Sequence, residues 1–200
     1  HVTDTIVVVN PQVRDEVERL VDEAGYPKVR MIIDGGAERA DSTAAALQAL
    51  GAAGIPPRAK LLIHDAVRPF VEQSSLDEFK AATVAFASTD TMLFTEDLGD
   101  RKVVRSVPDR ANMFRAQTPQ AFRFETIRRA YELASRDPDF HPTDDTRVVV
   151  DYLPDVPVAI VAGSRTNMKI TTRDDLPQAE QISLEIRKRL ARERMHQGFA

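Results

Sequence analysis

The chain is predicted to fold as an α/β domain, a mainly parallel sheet with helices on both of its faces. Three observations predict this. Apolar runs of strand length alternate with segments of helical period. The run Leu61-Leu62-Ile63 is bounded by polar residues, as in a strand buried on both faces. The chain then delivers Asp65 and Arg68 directly after that run, at the carboxyl edge where such sheets gather their chemistry. Repeated βαβ units imply right-handed crossovers and helices on both faces.

Each element follows from its own pattern. Thr5 to Val9 reads as a strand. Arg14 to Ala24 reads as a helix, with Val13, Val17, Leu20 and Val21 on one face. Val29 to Ile33 is a second strand, ending at the Gly35-Gly36 turn. Ser42 to Leu50 is an alanine-rich helix, and Lys60 to Ile63 is the third strand. A helix is expected near Ser75 to Ala85, crowding a strand near Val84 to Ala87. Met92-Leu93-Phe94-Thr95 and Lys102 to Val107 flank Glu96-Asp97-Leu98-Gly99-Asp100, which reads as a hairpin with a glycine-bearing loop.

Composition bounds the function without choosing it. Two hundred residues, 42% of them apolar, suit one domain with a sizeable core. With 27 basic and 31 acidic residues the net charge is -4, which supplies no field for nucleic acid or an anionic membrane. The basic run Arg187 to Arg192 is flanked by Glu185 and Glu193, as on a solvated terminal helix. Zero cysteines exclude disulfides and thiolate zinc sites and predict a reducing cytoplasm. No apolar run reaches membrane-spanning length, and no signal peptide is visible. The first residue is histidine rather than methionine, so a natural start upstream is expected.

Several residue groups can carry chemistry. Asp65 can hold a ribose hydroxyl or a metal-bound phosphate, and Arg68 can fork onto a phosphate. Taken alone, His64-Asp65-Ala66-Val67-Arg68-Pro69 equally describes an ion pair at a strand end. Gly35-Gly36 permits close backbone approach to a base. Ser42 opens the next helix, where its hydroxyl caps the helix or meets a base, and Asp41 is a helix-start charge. Arg110 follows a Pro-Asp turn, with pairing to Asp109 as its plainer role. For Lys169 the plainer role is a solvated place on an edge strand.

Gly35-Gly36-Ala37-Glu38-Arg39-Ala40-Asp41-Ser42, His64 to Phe70, Asp90-Thr91, Pro108-Asp109-Arg110, Gln117 to Phe122, Thr143-Asp144-Asp145 and Asn167-Met168-Lys169-Ile170-Thr171 occur in this order. Order and spacing resemble the cytidylyltransferases that make CDP-methylerythritol or CDP-ribitol from CTP and a polyol phosphate. The resemblance runs from Thr5 to about Ala179. It implies a Rossmann-like three-layer α/β/α domain over residues 1–182, a hairpin arm over about 91–110 that reaches a second subunit, and a C-terminal helix and tail over 183–200.

The resemblance also assigns roles. Gly35, Gly36, Asp41 and Ser42 face the cytosine, and Asp65 and Ala66 lie at the ribose and phosphates, with Mg²⁺ on Asp65. Arg68, Thr91 and Thr118 belong to the acceptor side. Arg110 clamps the acceptor phosphate from the neighbouring subunit of a homodimer. Lys169 neutralises charge between the two phosphates as the acceptor oxygen attacks the α-phosphorus in line. No covalent intermediate is implied.

Three departures accompany the resemblance. The family's glycine-rich triphosphate loop, with a basic residue and a later Pro-Lys step, has no counterpart here, because Thr5 onward aligns with a later strand. The natural gene is expected to encode that segment, and these 200 residues alone to bind CTP poorly. The interval from Pro69 to Asp90 is shorter than in relatives, through a trimmed helix or residues missing near Phe79-Lys80. Leu93 stands where methylerythritol-phosphate enzymes usually place lysine, so a ribitol 5-phosphate-like acceptor is expected first. 2-C-methyl-D-erythritol 4-phosphate, of isoprenoid precursor synthesis, is the alternative. A non-catalytic nucleotide-binding module is the reading from a different class, opposed by the retained Ser42, Asp65, Arg110 and Lys169.

Overall fold

A computed structural model describes residues 2–71 and 81–197. In chain order the elements are β1 (Thr5–Val9), α1 (Arg14–Ala24), β2 (Val29–Asp34), α2 (Arg39–Ala52), β3 (Lys60–Ile63) and β4 (Ala81–Ala87). They continue with β5 (Phe94–Asp97), β6 (Lys102–Ser106), β7 (Phe114–Arg123), α3 (Phe124–Ala134), α4 (Asp145–Tyr152), β8 (Ala159–Ala162) and α5 (Leu176–Gln197). Strand order is β1-β2 in one sheet, β3-β7-β4-β8 in a second and β5-β6 in the hairpin. Two compact units emerge: His1–Ile63 with Glu78–Ala82 and Gln120–Ala159, and His64–Asp77 with Thr83–Pro119 and Ile160–Ala200.

In the first unit β1 and β2 are parallel, with Val8 opposite Ile33 and Val9 opposite Asp34. Arg14 opens α1 and ties it to β2, donating to Asp34 Oδ1 and to the Ile32 carbonyl, each at 2.8 Å. Gly25 closes α1 at φ 60°, a left-handed conformation that glycine adopts without a Cβ clash. β3 runs antiparallel to the end of β7, with Leu61 opposite Phe122. Leu47, Phe122, Phe124, Ile127, Val148 and Val149 form the centre of this unit's core. α3 explains why: Phe124, Ile127, Ala130, Tyr131 and Ala134 recur at helical spacing and all are buried.

The second unit holds the β5-β6 hairpin and the leading end of β7. It also holds the segment from Gly163 to Thr172 and α5, which buries Ala179 and Ile182. Among the described residues no helix is long and apolar enough to cross a membrane.

The bounds of the first three strands and of α1 match the sequence expectation closely. β3 is not buried on both faces, however, since it pairs antiparallel with β7 and Leu62 is 45% exposed. Other elements correct the expectation too. α2 begins at Arg39, three residues before Ser42. The expected helix over Ser75–Ala85 falls partly on 72–80, outside the described residues, and its remainder, Ala81 to Ala85, is strand. All five of those residues are buried, so the two-sided burial of a central strand overrides alanine's helical propensity. Gln117-Thr118-Pro119-Gln120 lies inside β7, where the Thr118–Pro119 bond is cis. The expected boundary at residue 182 falls within α5.

Candidate active site

In the first unit, β2 ends at Asp34 and delivers the Gly35-Gly36 turn. The Gly35 amide donates to the Val9 carbonyl at 2.8 Å, and the Gly36 amide donates to Ser42 Oγ at 3.2 Å. A Cβ on Gly36 would lie 2.1 Å from Asp41 Cβ, and one on Gly35 would lie 2.6 Å from Ser42 Oγ. Glycine at both positions is therefore what lets the turn sit on the start of α2. Ser42 does not cap that helix. Glu38 is the N-cap, in a capping box with Asp41, whose carboxylate accepts from the Glu38 amide at 3.0 Å. Ser42 instead joins the turn to the helix, its hydroxyl donating to the Glu38 carbonyl at 3.3 Å.

The start of α2 is anchored from within the same unit. Arg39 Nη1 lies 2.6 Å from Asp145 Oδ2, a close ionic contact without hydrogen-bond alignment. Asp145 is fully buried, and its other carboxylate oxygen accepts from Tyr131 Oη at 2.7 Å. Its backbone amide donates to Gln120 Oε1 at 3.1 Å. Burial, and then the Asp145 carboxylate, push the Tyr131 phenol well above its ordinary range, so it stays a hydrogen-bond donor.

In the second unit, the residues after β3 form a tight turn closed by the Arg68 amide donating to the Asp65 carbonyl at 3.0 Å. Lys169 Nζ lies 3.1 Å from Asp65 Oδ2, and Arg68 Nε lies 3.7 Å from the same oxygen. One carboxylate thus gathers two cations. The Ile170 amide donates to the Val67 carbonyl at 2.9 Å, and Arg68 Nη1 donates to the Asn167 carbonyl at 2.8 Å, lacing the Lys169 segment to the turn. Lys169 is in neither an edge strand nor a helix, so its place depends on these ties.

Two buried amides complete the frame. Gln117 Nε2 donates to the Ser164 carbonyl at 2.8 Å and to the Asn167 carbonyl at 3.0 Å. Asn167 Nδ2 donates to the Thr118 carbonyl at 2.9 Å. A Cβ on Gly163 would lie 2.4 Å from Gln117 Oε1, so the close passage of these segments requires glycine there.

The structure therefore brings Asp65, Arg68, Thr118 and Lys169 together in the second unit, and Gly35, Gly36, Asp41 and Ser42 together in the first. Ala66 is exposed within the turn. Thr91 lies in an exposed loop before β5. Arg110 follows the hairpin, donating to the Thr89 carbonyl at 3.3 Å, while Asp109 caps its short turn by accepting from the Ala111 amide at 3.0 Å.

The sequence profile of the IspD family, 2-C-methyl-D-erythritol 4-phosphate cytidylyltransferase, matches residues 1–185. The chain belongs to this family. It is 70% identical over 206 residues to 2-C-methyl-D-erythritol 4-phosphate cytidylyltransferase of Bifidobacterium longum strain DJO10A, covering 98% of this chain and 71% of that protein. A bifunctional ribulose 5-phosphate reductase/CDP-ribitol pyrophosphorylase of Haemophilus influenzae is 35% identical, covering 90% of this chain and 38% of that protein. Among solved structures, 4-diphosphocytidyl-2C-methyl-D-erythritol synthase from Anaerococcus prevotii superposes with TM-score 0.74 at 29% identity, over 88% of this chain and 77% of that one. The fold is accordingly the Rossmann-like α/β fold of these IspD nucleotidyltransferases.

Sequence reasoning named the family's motifs but gave no role to Arg39, His64, Gln117, Asp145 or Asn167. All five lie inside motifs quoted for the resemblance. The available signal was therefore position beside a candidate residue, since the partners are distant in sequence.

Proposed function

We propose that the chain carries out cytidylyl transfer from CTP to 2-C-methyl-D-erythritol 4-phosphate, releasing pyrophosphate. The observation that carries this reading is the Asp65 carboxylate with Lys169 at 3.1 Å and Arg68 at 3.7 Å, after β3, in a chain of the IspD family. The relatives favour the second of the two acceptors expected from sequence. The 70%-identical protein bears the methylerythritol name, and the ribitol-linked one is 35% identical.

In this reading an acceptor phosphate oxygen attacks the α-phosphorus of CTP in line. A new P–O bond forms as the bond to pyrophosphate breaks, and the electron pair leaves with pyrophosphate. Positioning and charge neutralisation then supply the rate. The Gly35-Gly36 turn and Ser42 offer main-chain and hydroxyl groups to the cytosine, with Asp41 fixing the helix start behind them. Lys169 meets the charge shared by the two phosphates. Arg68 and Thr91 serve the acceptor, and Thr118 serves it through the Asp65 amide that it holds.

Mg²⁺ suits this donor set. It binds through one or two carboxylates completed by substrate phosphates, and Asp65 supplies such a carboxylate beside the turn. Among the described residues no group of three or more His, Asp or Glu forms a cage of its own. Once bound, the ion would neutralise phosphate charge. A reaction that consumes CTP supports a cytoplasmic location.

Pyrophosphate release from CTP, measured with each acceptor, tests the reading. The expected result is a kcat/KM for methylerythritol phosphate at least about a hundredfold above that for ribitol 5-phosphate. Equal or reversed values would overturn the acceptor, and no release with either would overturn the reaction.

The hairpin supports a homodimer as part of the same reading. Leu93, Phe94, Leu98, Val104 and Val107 are all exposed, Phe94 at 65%. A two-stranded ribbon gains little stability from leaving such side chains in water, and a twofold copy would cover them. Arg110, which follows the hairpin, would then serve the partner's site. Sedimentation should give a dimer at micromolar concentration. Mixing an Arg110→Ala chain with a Lys169→Ala chain should restore part of the activity, because one site in each mixed dimer regains both residues. An active monomer, or a mixture without recovery, would rule out shared sites.

A further inference from the structure

We infer that His64 is a positioning residue, a brace that holds the Asp65–Arg68 turn in its working shape. The inference rests on the cytidylyltransferase reading above and adds a residue to it. His64 is exposed, yet both of its ring nitrogens are engaged. Nε2 lies 2.9 Å from the Arg68 carbonyl oxygen, and Nδ1 lies 2.9 Å from Thr118 Oγ1. The same Thr118 oxygen accepts from the Asp65 amide at 3.0 Å.

With the imidazole neutral, the hydrogens have one consistent arrangement. The Arg68 carbonyl can only accept, so Nε2 carries the hydrogen. In a neutral ring Nδ1 is then an acceptor, and the hydroxyl hydrogen of Thr118 points at it. The Thr118 oxygen is left to accept from the Asp65 amide. Donation therefore runs from the Asp65 amide to Thr118, from Thr118 to His64, and from His64 to the Arg68 carbonyl. The chain begins and ends on the two residues that frame the turn.

Each link acts on a group assigned to the chemistry. Asp65 holds Lys169, and Arg68 reaches both Asp65 and the Asn167 carbonyl. A turn that loosens lets the carboxylate and both cations drift together. Displacement of about 1 Å at a reacting centre costs up to roughly a hundredfold in rate. The brace is therefore expected to act on kcat more than on CTP binding.

The test uses the full-length protein with substitutions at this exposed position. His64→Ala should lower kcat about tenfold to a hundredfold, with KM for CTP changed less than about threefold and the thermal midpoint unchanged. His64→Asn sets an amide oxygen near the Nδ1 position, and His64→Gln sets an amide nitrogen near Nε2. Each should recover part of the loss, and recovery by neither would overturn the brace. A kcat for His64→Ala within about twofold of the parent would overturn it too.

Two readouts work without turnover. Imidazole nitrogen spectra should show His64 as the Nε2–H tautomer, and the Asp65 amide should exchange faster in His64→Ala. The opposite tautomer, or unchanged exchange, would overturn the brace. If the parent protein fails to release pyrophosphate, the reaction assignment falls, and these two readouts still decide the brace.

Discussion

Replacing Lys169 with alanine is expected to lower turnover about a hundredfold to a thousandfold, the scale of removing one preorganised charge donor from a transition state. The same change should leave stability nearly untouched. The Lys169 side chain is 45% exposed, and exposed ion pairs contribute roughly 0–1 kcal/mol. Asp65 would not lose its last cation, since Arg68 remains at 3.7 Å from the same oxygen. The segment that carries Lys169 would stay laced through the Ile170 amide and the Asn167 carbonyl. Steady-state pyrophosphate release with a parallel thermal melt separates the two effects. A near-normal rate would sink the role assigned to Lys169, and a large drop in melting temperature would show that the residue is structural.

The largest expected effect on stability belongs to Asp145. Its carboxylate is fully buried, faces Arg39 at 2.6 Å and accepts from Tyr131 at 2.7 Å. Asp145→Ala takes the buried carboxylate away from a partly buried guanidinium and from a buried phenol that keeps its contact with Thr43. Breaking a buried pair from one side costs about 3–5 kcal/mol. The Arg39 side chain is 30% exposed, so water screens part of that cost and the lower end of the range is expected. For a chain of this length the melting temperature should fall by roughly 6–12 °C. Asp145→Asn keeps the shape and an acceptor for Tyr131, so its loss should be smaller. Denaturant midpoints for the two variants provide the measurement. An unchanged midpoint for Asp145→Ala would show that the pair contributes nothing net.

Asp145 also links stability to the candidate site. Arg39 is the first residue of α2, and Asp41 and Ser42 follow it within the same turn. The buried pair therefore fixes where the capping box and the Gly35-Gly36 turn stand. A residue buried in the core of the first unit thus sets the groups that the proposed function assigns to the cytosine.

Local pattern alone was enough for the bounds of β1, α1, β2 and β3, which follow from the apolar runs and the helical period. It also yielded the family, because ordered motifs survive in sequence whatever their spacing in space. Tertiary structure decided the rest, for reasons that can be named. The alanines of β4 carry no periodic signal, so burial on both faces chose strand over helix. Ser42 has the chemistry of a helix cap, but Glu38 with Asp41 completes a two-bond box that one hydroxyl cannot match, and the helix starts earlier. Lys169, His64 and Thr118 reach the Asp65 turn from distant parts of the chain. Sequence determined which groups were available for the chemistry. Only folding decided which of them share a carboxylate, because hydrogen-bond and ion-pair partners are chosen by distance in space.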